Sequence, residues 1–156
     1  MEKLRVGIVG ATGMVGQRFL TLLEDHPYFE VKVLAASSRS AGKTYLEAVG
    51  DRWKMSTPIP EQYKNMIIVD AQNIDEISHL VDFVFCAVDM KKDEIRALEE
   101  AYAKAEIPVV SNNSAHRFTP DVPMVTKAFP SETTPVPTAA AALSPAPPTT
   151  IVPALR

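Results

Sequence analysis

Apolar residues in this chain come in short blocks separated by polar punctuation, and the first block sets the pattern. Leu4 to Val9 (L-R-V-G-I-V) is an apolar run of the length of a buried strand. Gly10, Gly13 and Gly16 follow at a spacing of three, and Val15, Phe19, Leu22 and Leu23 then fall on one face of a helix. His26 and Pro27 close that helix. Phe29 to Ala35 alternates as a second strand, with Phe29, Val31 and Val33 facing one way and Glu30 and Lys32 the other. Tyr45 to Asn65 has no clean periodicity and reads as an excursion holding a small hairpin, ahead of a third strand at Met66 to Asp70. Ile74 to Leu80 suits a short helix with Ile77 and Leu80 inward. Asp82 to Val88 (D-F-V-F-C-A-V) is nearly continuous in apolar residues, as a central parallel strand is.

Asp89 is placed to cap the next helix, Lys92 to Lys104. That helix puts Ile95, Leu98, Ala101, Tyr102 and Ala105 on one face and Glu94, Arg96, Glu99, Glu100 and Lys104 on the other. Pro108 to Ser111 gives another strand. Strand and helix alternate throughout, which predicts an α/β fold: a Rossmann-like parallel sheet with helices on both faces and right-handed crossovers.

Strand, glycine turn and helix together make a pyrophosphate site. Gly10 takes the angles of a tight turn, Gly13 has no side chain to hold a ligand off, and Gly16 lets the helix lie close on the strand. The N–H groups of the first helical turn and the helix dipole then face the anion. The spacing is a variant of the commoner G-x-G-x-x-G. After the second strand, where an adenosine ribose would lie, the chain reads A-S-S-R-S-A-G-K. No Asp or Glu lies between Lys32 and Glu47, whereas Ser37, Ser38, Arg39 and Ser40 all do. Arg with hydroxyls suits a 2′-phosphate, an acidic residue a free 2′-OH, so the expected cofactor is NADP. A solvated serine loop is the plainer alternative. Ser111 to Arg117 (S-N-N-S-A-H-R) is a second polar cluster at a strand end, read either as an anion site or as a turn rich in Asn and Ser.

Composition narrows the choices. Nearly half of the 156 residues are hydrophobic, enough for a core, and the net charge of −3 with no basic stripe argues against nucleic-acid binding. No apolar run approaches a membrane span, and no leader-like segment precedes the first strand. The single cysteine, Cys86, excludes an internal disulfide and fits a reducing cytoplasm. It sits in an apolar strand and reads as a packing residue. His26, His79 and His116 have no metal-ligand spacing, so no metal is expected. All six glycines lie at or before Gly50, while nine of the thirteen prolines lie at or after Pro120. The chain therefore divides into a dinucleotide-binding domain, 1–125, and an irregular Pro/Ala/Thr-rich tail, 126–156, extended or disordered.

The motifs V-G-I-V-G-A-T-G-M-V-G-Q-R-F, A-S-S-R-S-A-G-K, G-D-R-W-K-M-S-T-P-I-P and V-V-S-N-N-S-A-H-R with D-V-P-M-V stand in an order that resembles aspartate-semialdehyde dehydrogenase of the archaeal and fungal type. The likeness runs from Met1 to about Val125. It implies an oxidoreductase of amino-acid biosynthesis that reductively dephosphorylates aspartyl phosphate, leading to lysine, threonine and methionine. It implies pyrophosphate contacts at Thr12, Gly13, Met14 and Val15, and adenosine-phosphate contacts at Ser37 to Ser40. Cys86, Ala87 and Val88 stand where the family usually has S-A-L beside the nicotinamide. Asn112, Asn113, Ser114 and Arg117 match the loop whose arginine binds the substrate phosphate. The family's acyl-forming cysteine and its acid–base histidine have no counterpart here.

A truncated or frameshifted copy is therefore expected, inactive alone and prone to self-association through exposed apolar surface. In P-T-T-I-V-P-A-L the tail keeps a faint echo of the residues after the family cysteine, with Pro148 in the cysteine's place. Malonyl-CoA reductase, a near relative, and a stand-alone NADP-sensing module are the alternative functions.

Overall fold

The computed structural model describes residues 2–116, Pro120, and the backbone of 124–125 and 149–152. Strand β1 (Leu4–Val9) runs down the middle of a sheet and leads into helix α1 (Met14–Leu23). Then come β2 (Phe29–Ala36), α2 (Tyr45–Val49), a single 3-10 turn at Gly50–Arg52, and α3 (Glu61–Lys64). Strand β3 (Val69–Asp70), α4 (Ile74–Ser78), β4 (Phe83–Cys86), α5 (Lys92–Lys104) and β5 (Val109–Ser111) complete the alternation. The five strands pair in parallel in the order β3-β2-β1-β4-β5. The order reverses at β1, between β2 and β4, which opens a crevice outside the strands' C-terminal ends.

Both faces of the sheet are covered, because alternate side chains of each strand point to opposite sides. Val6, Ile8, Val31, Leu34 and Phe85 pack with Leu20 and Leu23 of α1 and with Tyr45 and Val49 of α2. Val9, Val33, Ala35, Val84 and Cys86 pack on the other face with Ile77 of α4 and with Leu98 and Tyr102 of α5. The expected α/β class and the strands at Leu4, Phe29, Asp82 and Pro108 are all found, within a residue or two at their ends.

Several local expectations are corrected. The stretch Tyr45 to Asn65 is not a hairpin but α2, the 3-10 turn and α3. Its first helix starts at a capping box: Thr44 Oγ1 accepts from Glu47 N at 3.3 Å, and the Glu47 carboxylate accepts from Thr44 N at 3.0 Å. Donation from Thr44 N, and then from the Thr44 hydroxyl, holds the Glu47 carboxyl below the usual carboxylate range. The third strand shrinks to Val69–Asp70, with Ile67 bridging back to Thr44. On α1 the buried set is Gly16, Gln17, Leu20 and Leu23, while Val15 and Leu22 are exposed. Gly16 is the point of closest approach to the β1 turn, and that contact fixes the helix's rotation. Leu80 is likewise exposed, with Ile77 alone buried on α4. Asp89 does not cap α5; Lys91 does, its N–H donating to the Glu94 carboxylate at 3.2 Å. Glu99, expected in solvent, is fully buried.

The tail was expected without regular elements, yet Thr149–Val152 forms β7, antiparallel to β5, and Met124–Val125 forms β6 against β7. T-T-I-V is a β-branched run, and the outer edge of β5 offers unpaired backbone groups. The rest of 126–156 lies outside the described residues.

Candidate functional site

At the C-terminal end of β1 the three glycines have three different reasons to be glycine. Gly10 has φ +88°, and a Cβ on it would stand 2.6 Å from the Ala87 carbonyl oxygen of the loop after β4. A Cβ on Gly16 would come 2.8 Å from Ala11 Cα and overlap the Gly10 carbonyl. Gly13, the N-cap of α1 at φ −76°, would meet only Gly10 O at 3.6 Å, an ordinary contact. Space at Gly13 is therefore left open by the protein itself. The N–H groups of Met14, Val15 and Gly16 have no intrahelical acceptor, no side chain caps the helix, and no acidic residue occupies its first turn. The positive end of the helix dipole is left for an anion.

Loop carbonyls that would repel that anion are tied back into the protein. Tyr45 Oη donates to Ala11 O at 2.8 Å. Gln17 Nε2 donates to Thr12 O and to Arg52 O, both at 3.0 Å, and Gln17 Oε1 accepts from Lys54 N at 2.9 Å. Gln17 is 1% exposed, so this latch is part of the core. The backbone N–H groups of Gly10 and Ala11 both donate to Ala35 O, at 2.9 and 3.1 Å, joining the glycine turn to the end of β2. Sequence reading missed Gln17 and Tyr45. Only the T-Y-L-E capping signature ahead of α2 could have placed Tyr45 on a helix, and nothing local marks Gln17.

At the end of β2, Ser37 O accepts from Ser40 N at 2.9 Å and from Ala41 N at 3.1 Å, closing a tight turn. Ser37, Ser38 and Arg39 are exposed on it, whereas Ser40 is buried. At the end of β4, the Cys86 side chain packs into the α5-side core and its carbonyl accepts from Asn112 N at 3.0 Å. Burial, then the nearby Glu99 carboxylate, pushes the thiol far above its ordinary range. Ala87 and Val88 are half-buried beside the glycine turn. After β5, Asn112 and Asn113 are half-buried and Ser114 is exposed. Arg117 lies outside the described residues.

Parallel pairing thus brings Gly10 to Gly16, Ser37 to Arg39, Ala87 to Val88 and Asn112 to Ser114 to one edge. A cavity of about 260 Å³ lies at the opposite end of the sheet, lined in part by Leu23, His26, Phe29 and Tyr63, and shares no residue with this edge. His26 there is a structural group, its Nδ1 accepting from Tyr28 N and Phe29 N. Among the described residues no three His, Cys, Asp or Glu side chains are grouped to hold a metal, and no helix is long and apolar enough to cross a membrane.

The sequence profile of the family described as "Semialdehyde dehydrogenase, NAD binding domain" matches residues 5–134. Aspartate-semialdehyde dehydrogenase of Aspergillus fumigatus is 44% identical over 123 residues, covering 79% of this chain and 32% of that protein. The enzyme of the same name from Methanothermobacter thermautotrophicus is 44% identical over 124 residues, covering 78% of this chain and 33% of its own length. The crystal structure of aspartate semialdehyde dehydrogenase with NADP from Candida albicans superposes with a TM-score of 0.69 at 36% identity, covering 76% of this chain and 32% of that one. The chain spans about a third of the length of these relatives.

Proposed function

The chain belongs to the semialdehyde dehydrogenase NAD-binding domain family, and on that premise we propose that its crevice holds NADP for an aspartate-semialdehyde dehydrogenase. The observation that carries the reading is the glycine turn: a Cβ is sterically shut out at Gly10 and Gly16, while at Gly13 it would project into space the protein leaves empty. Such a cradle fits a pyrophosphate, and Gly10, Thr12, Gly13, Met14, Val15 and Gly16 are its proposed contacts. Ser37, Ser38 and Arg39 hold the 2′-phosphate, and Ser40 supports their turn from inside. Ala87 and the Cys86 backbone border the nicotinamide side, with Asn112 and Ser114 across from them. Arg117 receives the substrate phosphate. We take residues 1–125 as the cofactor-binding unit, to whose sheet Thr149–Val152 of the segment 126–156 adds an antiparallel strand.

When bound, the reduced cofactor supplies a hydride; the acyl carbon of aspartyl phosphate gains it and loses phosphate. The chain's own part is to bind and orient. The turn's N–H groups neutralise the pyrophosphate, and the Gln17 and Tyr45 bonds keep its carbonyls out of the way.

Discrimination between NADP and NAD falls to the β2 turn. A charge-assisted contact from Arg39 is worth about 1.5–3 kcal/mol, or about ten- to a hundredfold in affinity. NADP is expected to bind more tightly than NAD, and Arg39→Ala to erase most of that preference while leaving NAD affinity nearly unchanged. Calorimetric titration of both cofactors into both proteins decides it; equal wild-type affinities would remove the 2′-phosphate assignment.

The same samples test the chemistry. Cys86, the only cysteine in the sequence, is buried and its thiolate is disfavoured, which argues against it as the nucleophile of an acyl thioester. No turnover with semialdehyde, phosphate and NADP is expected from this chain alone. Activity that disappears in Cys86→Ser would overturn that. Exposed Met14, Val15 and Met90 beside the crevice give apolar surface for self-association, which a single monomer boundary in sedimentation would contradict. We also place the protein in the cytoplasm, where biosynthetic relatives and a free thiol belong; fractionation of a tagged chain tests this.

A further inference from the structure

One buried charged group has no part in the scheme above. Glu99, fully buried on α5, sends its carboxylate toward the loop that follows β5. Its Oε1 accepts from Ser111 Oγ, and from Asn113 Nδ2 at 3.3 Å. Ser111 Oγ in turn accepts from Asn113 N at 3.0 Å. The other oxygen, Oε2, lies 3.8 Å from Nε2 of His116, itself only 3% exposed in its side chain. One turn earlier on the same helix, Arg96 Nη2 donates to Ala115 O at 2.8 Å. Arg96 and Glu99 therefore grip Ser111, Asn113, Ala115 and His116 from a single turn of α5.

A packing role alone does not explain the residue. Glu99 stands between Leu98 and Tyr102 on a helix whose buried face is otherwise mostly apolar, and a carboxylate there loses its hydration, which costs several kcal/mol unless hydrogen bonds replace it. Its hydrogen bonds from Ser111 and Asn113 both come from the end of β5 and the loop that follows. That loop stands at one end of the crevice. Because β2 and β5 lie on opposite sides of β1, a dinucleotide with its adenosine over the β2 turn extends its other half toward β4 and β5.

We propose that Glu99 is a positioning residue: it fixes the Ser111 to His116 loop in the shape that receives the nicotinamide-ribose half of the cofactor. This rests on the NADP reading above. Glu99 then acts on one half of the ligand and not the other, which a half-ligand can test. Adenosine 2′,5′-bisphosphate carries the adenosine, the 2′-phosphate and one phosphate of the pyrophosphate, and reaches only β1 and β2. Glu99→Leu removes the anchor; Glu99→Gln keeps an acceptor oxygen for Ser111 and Asn113; Ser111→Ala cuts the same link from the loop side.

By calorimetry, Glu99→Leu and Ser111→Ala are each expected to weaken NADP about tenfold and to leave the bisphosphate within about twofold of wild type, as loss of a charged hydrogen bond to one half of a ligand predicts. Glu99→Gln is expected to restore NADP to within about threefold of wild type. A merely structural role would weaken both ligands alike, or neither, and either result overturns the proposal. If Glu99→Leu does not fold, the same comparison in Ser111→Ala decides. Wild-type protein that binds neither ligand would instead remove the NADP reading, and this inference with it.

Discussion

Gly13→Ala is expected to abolish measurable NADP binding while leaving the fold standing, and Gly16→Ala, three residues on, to do damage of the opposite kind. At Gly13 the added methyl meets only the Gly10 carbonyl, at 3.6 Å, and φ is −76°, which alanine adopts freely. Its effect on stability is that of a poorer N-cap, about 1 kcal/mol or less. The methyl does occupy the space in which an anion must approach the first-turn N–H groups. Losing two such charge-assisted bonds is worth about 3–6 kcal/mol, a hundredfold or more in affinity.

At Gly16 the methyl meets backbone, not open space: Ala11 Cα at 2.8 Å, and the Gly10 carbonyl still closer. Neither can move without displacing α1 from the sheet, at a cost of about 3 kcal/mol or more. Gly10→Ala combines a clash at 2.6 Å with the left-handed backbone and is expected to be at least as severe. Gly42 is the control, with φ +82° and nothing within 4 Å, so alanine there costs only the backbone strain of about 1–2 kcal/mol. Urea unfolding and calorimetry on the four variants separate these cases. Wild-type NADP affinity in Gly13→Ala would show that the pyrophosphate does not lie at this turn.

Gln17→Leu is expected to be the most destabilising change among the polar residues around the crevice. Leucine keeps the bulk but strips a donor from Thr12 O and Arg52 O and an acceptor from Lys54 N. Part-buried backbone groups left without a partner cost about 1–3 kcal/mol each where water cannot reach them, so a total of about 3 kcal/mol is expected. Tyr45→Phe breaks one comparable bond, to Ala11 O, at about 1 kcal/mol. Both free a loop carbonyl to turn toward the anion, so both are expected to weaken NADP, Gln17→Leu more. An unfolding midpoint for Gln17→Leu equal to that of wild type would mean the latch carries no stability.

Much of the site is written in short-range sequence because its features are local. A buried parallel strand is a contiguous apolar run, so Leu4–Val9, Phe29–Ala36 and Phe83–Cys86 are recognisable from their own residues. The glycine turn is legible for a related reason: Gly13 and Gly16 face Gly10 and Ala11, three to six residues back, and only Gly10 meets a distant neighbour, Ala87. The serine-rich turn after β2 also stands next to the strand that presents it. These are what the amino-acid order determined unaided: the class of fold, the glycine turn and the serine-rich turn after β2.

Tertiary structure alone decided which polar side chains are inside. Gln17 lies three residues before Leu20 and Glu99 four after Ile95, within reach of each helix's buried face; their polarity alone argues for solvent, because what permits burial is partners the helix does not contain. Gln17 is held by Arg52 and Lys54, 35 and 37 residues away, and Glu99 by Ser111 and Asn113, 12 and 14 residues on. The rotation of α1, which turned Val15 and Leu22 outward, was likewise set by contact of Gly16 with the β1 turn and not by the helix's own apolar count. Helical periodicity reports an average face. A hydrogen bond that replaces water at one position overrides that average, and only the folded chain brings its two ends together.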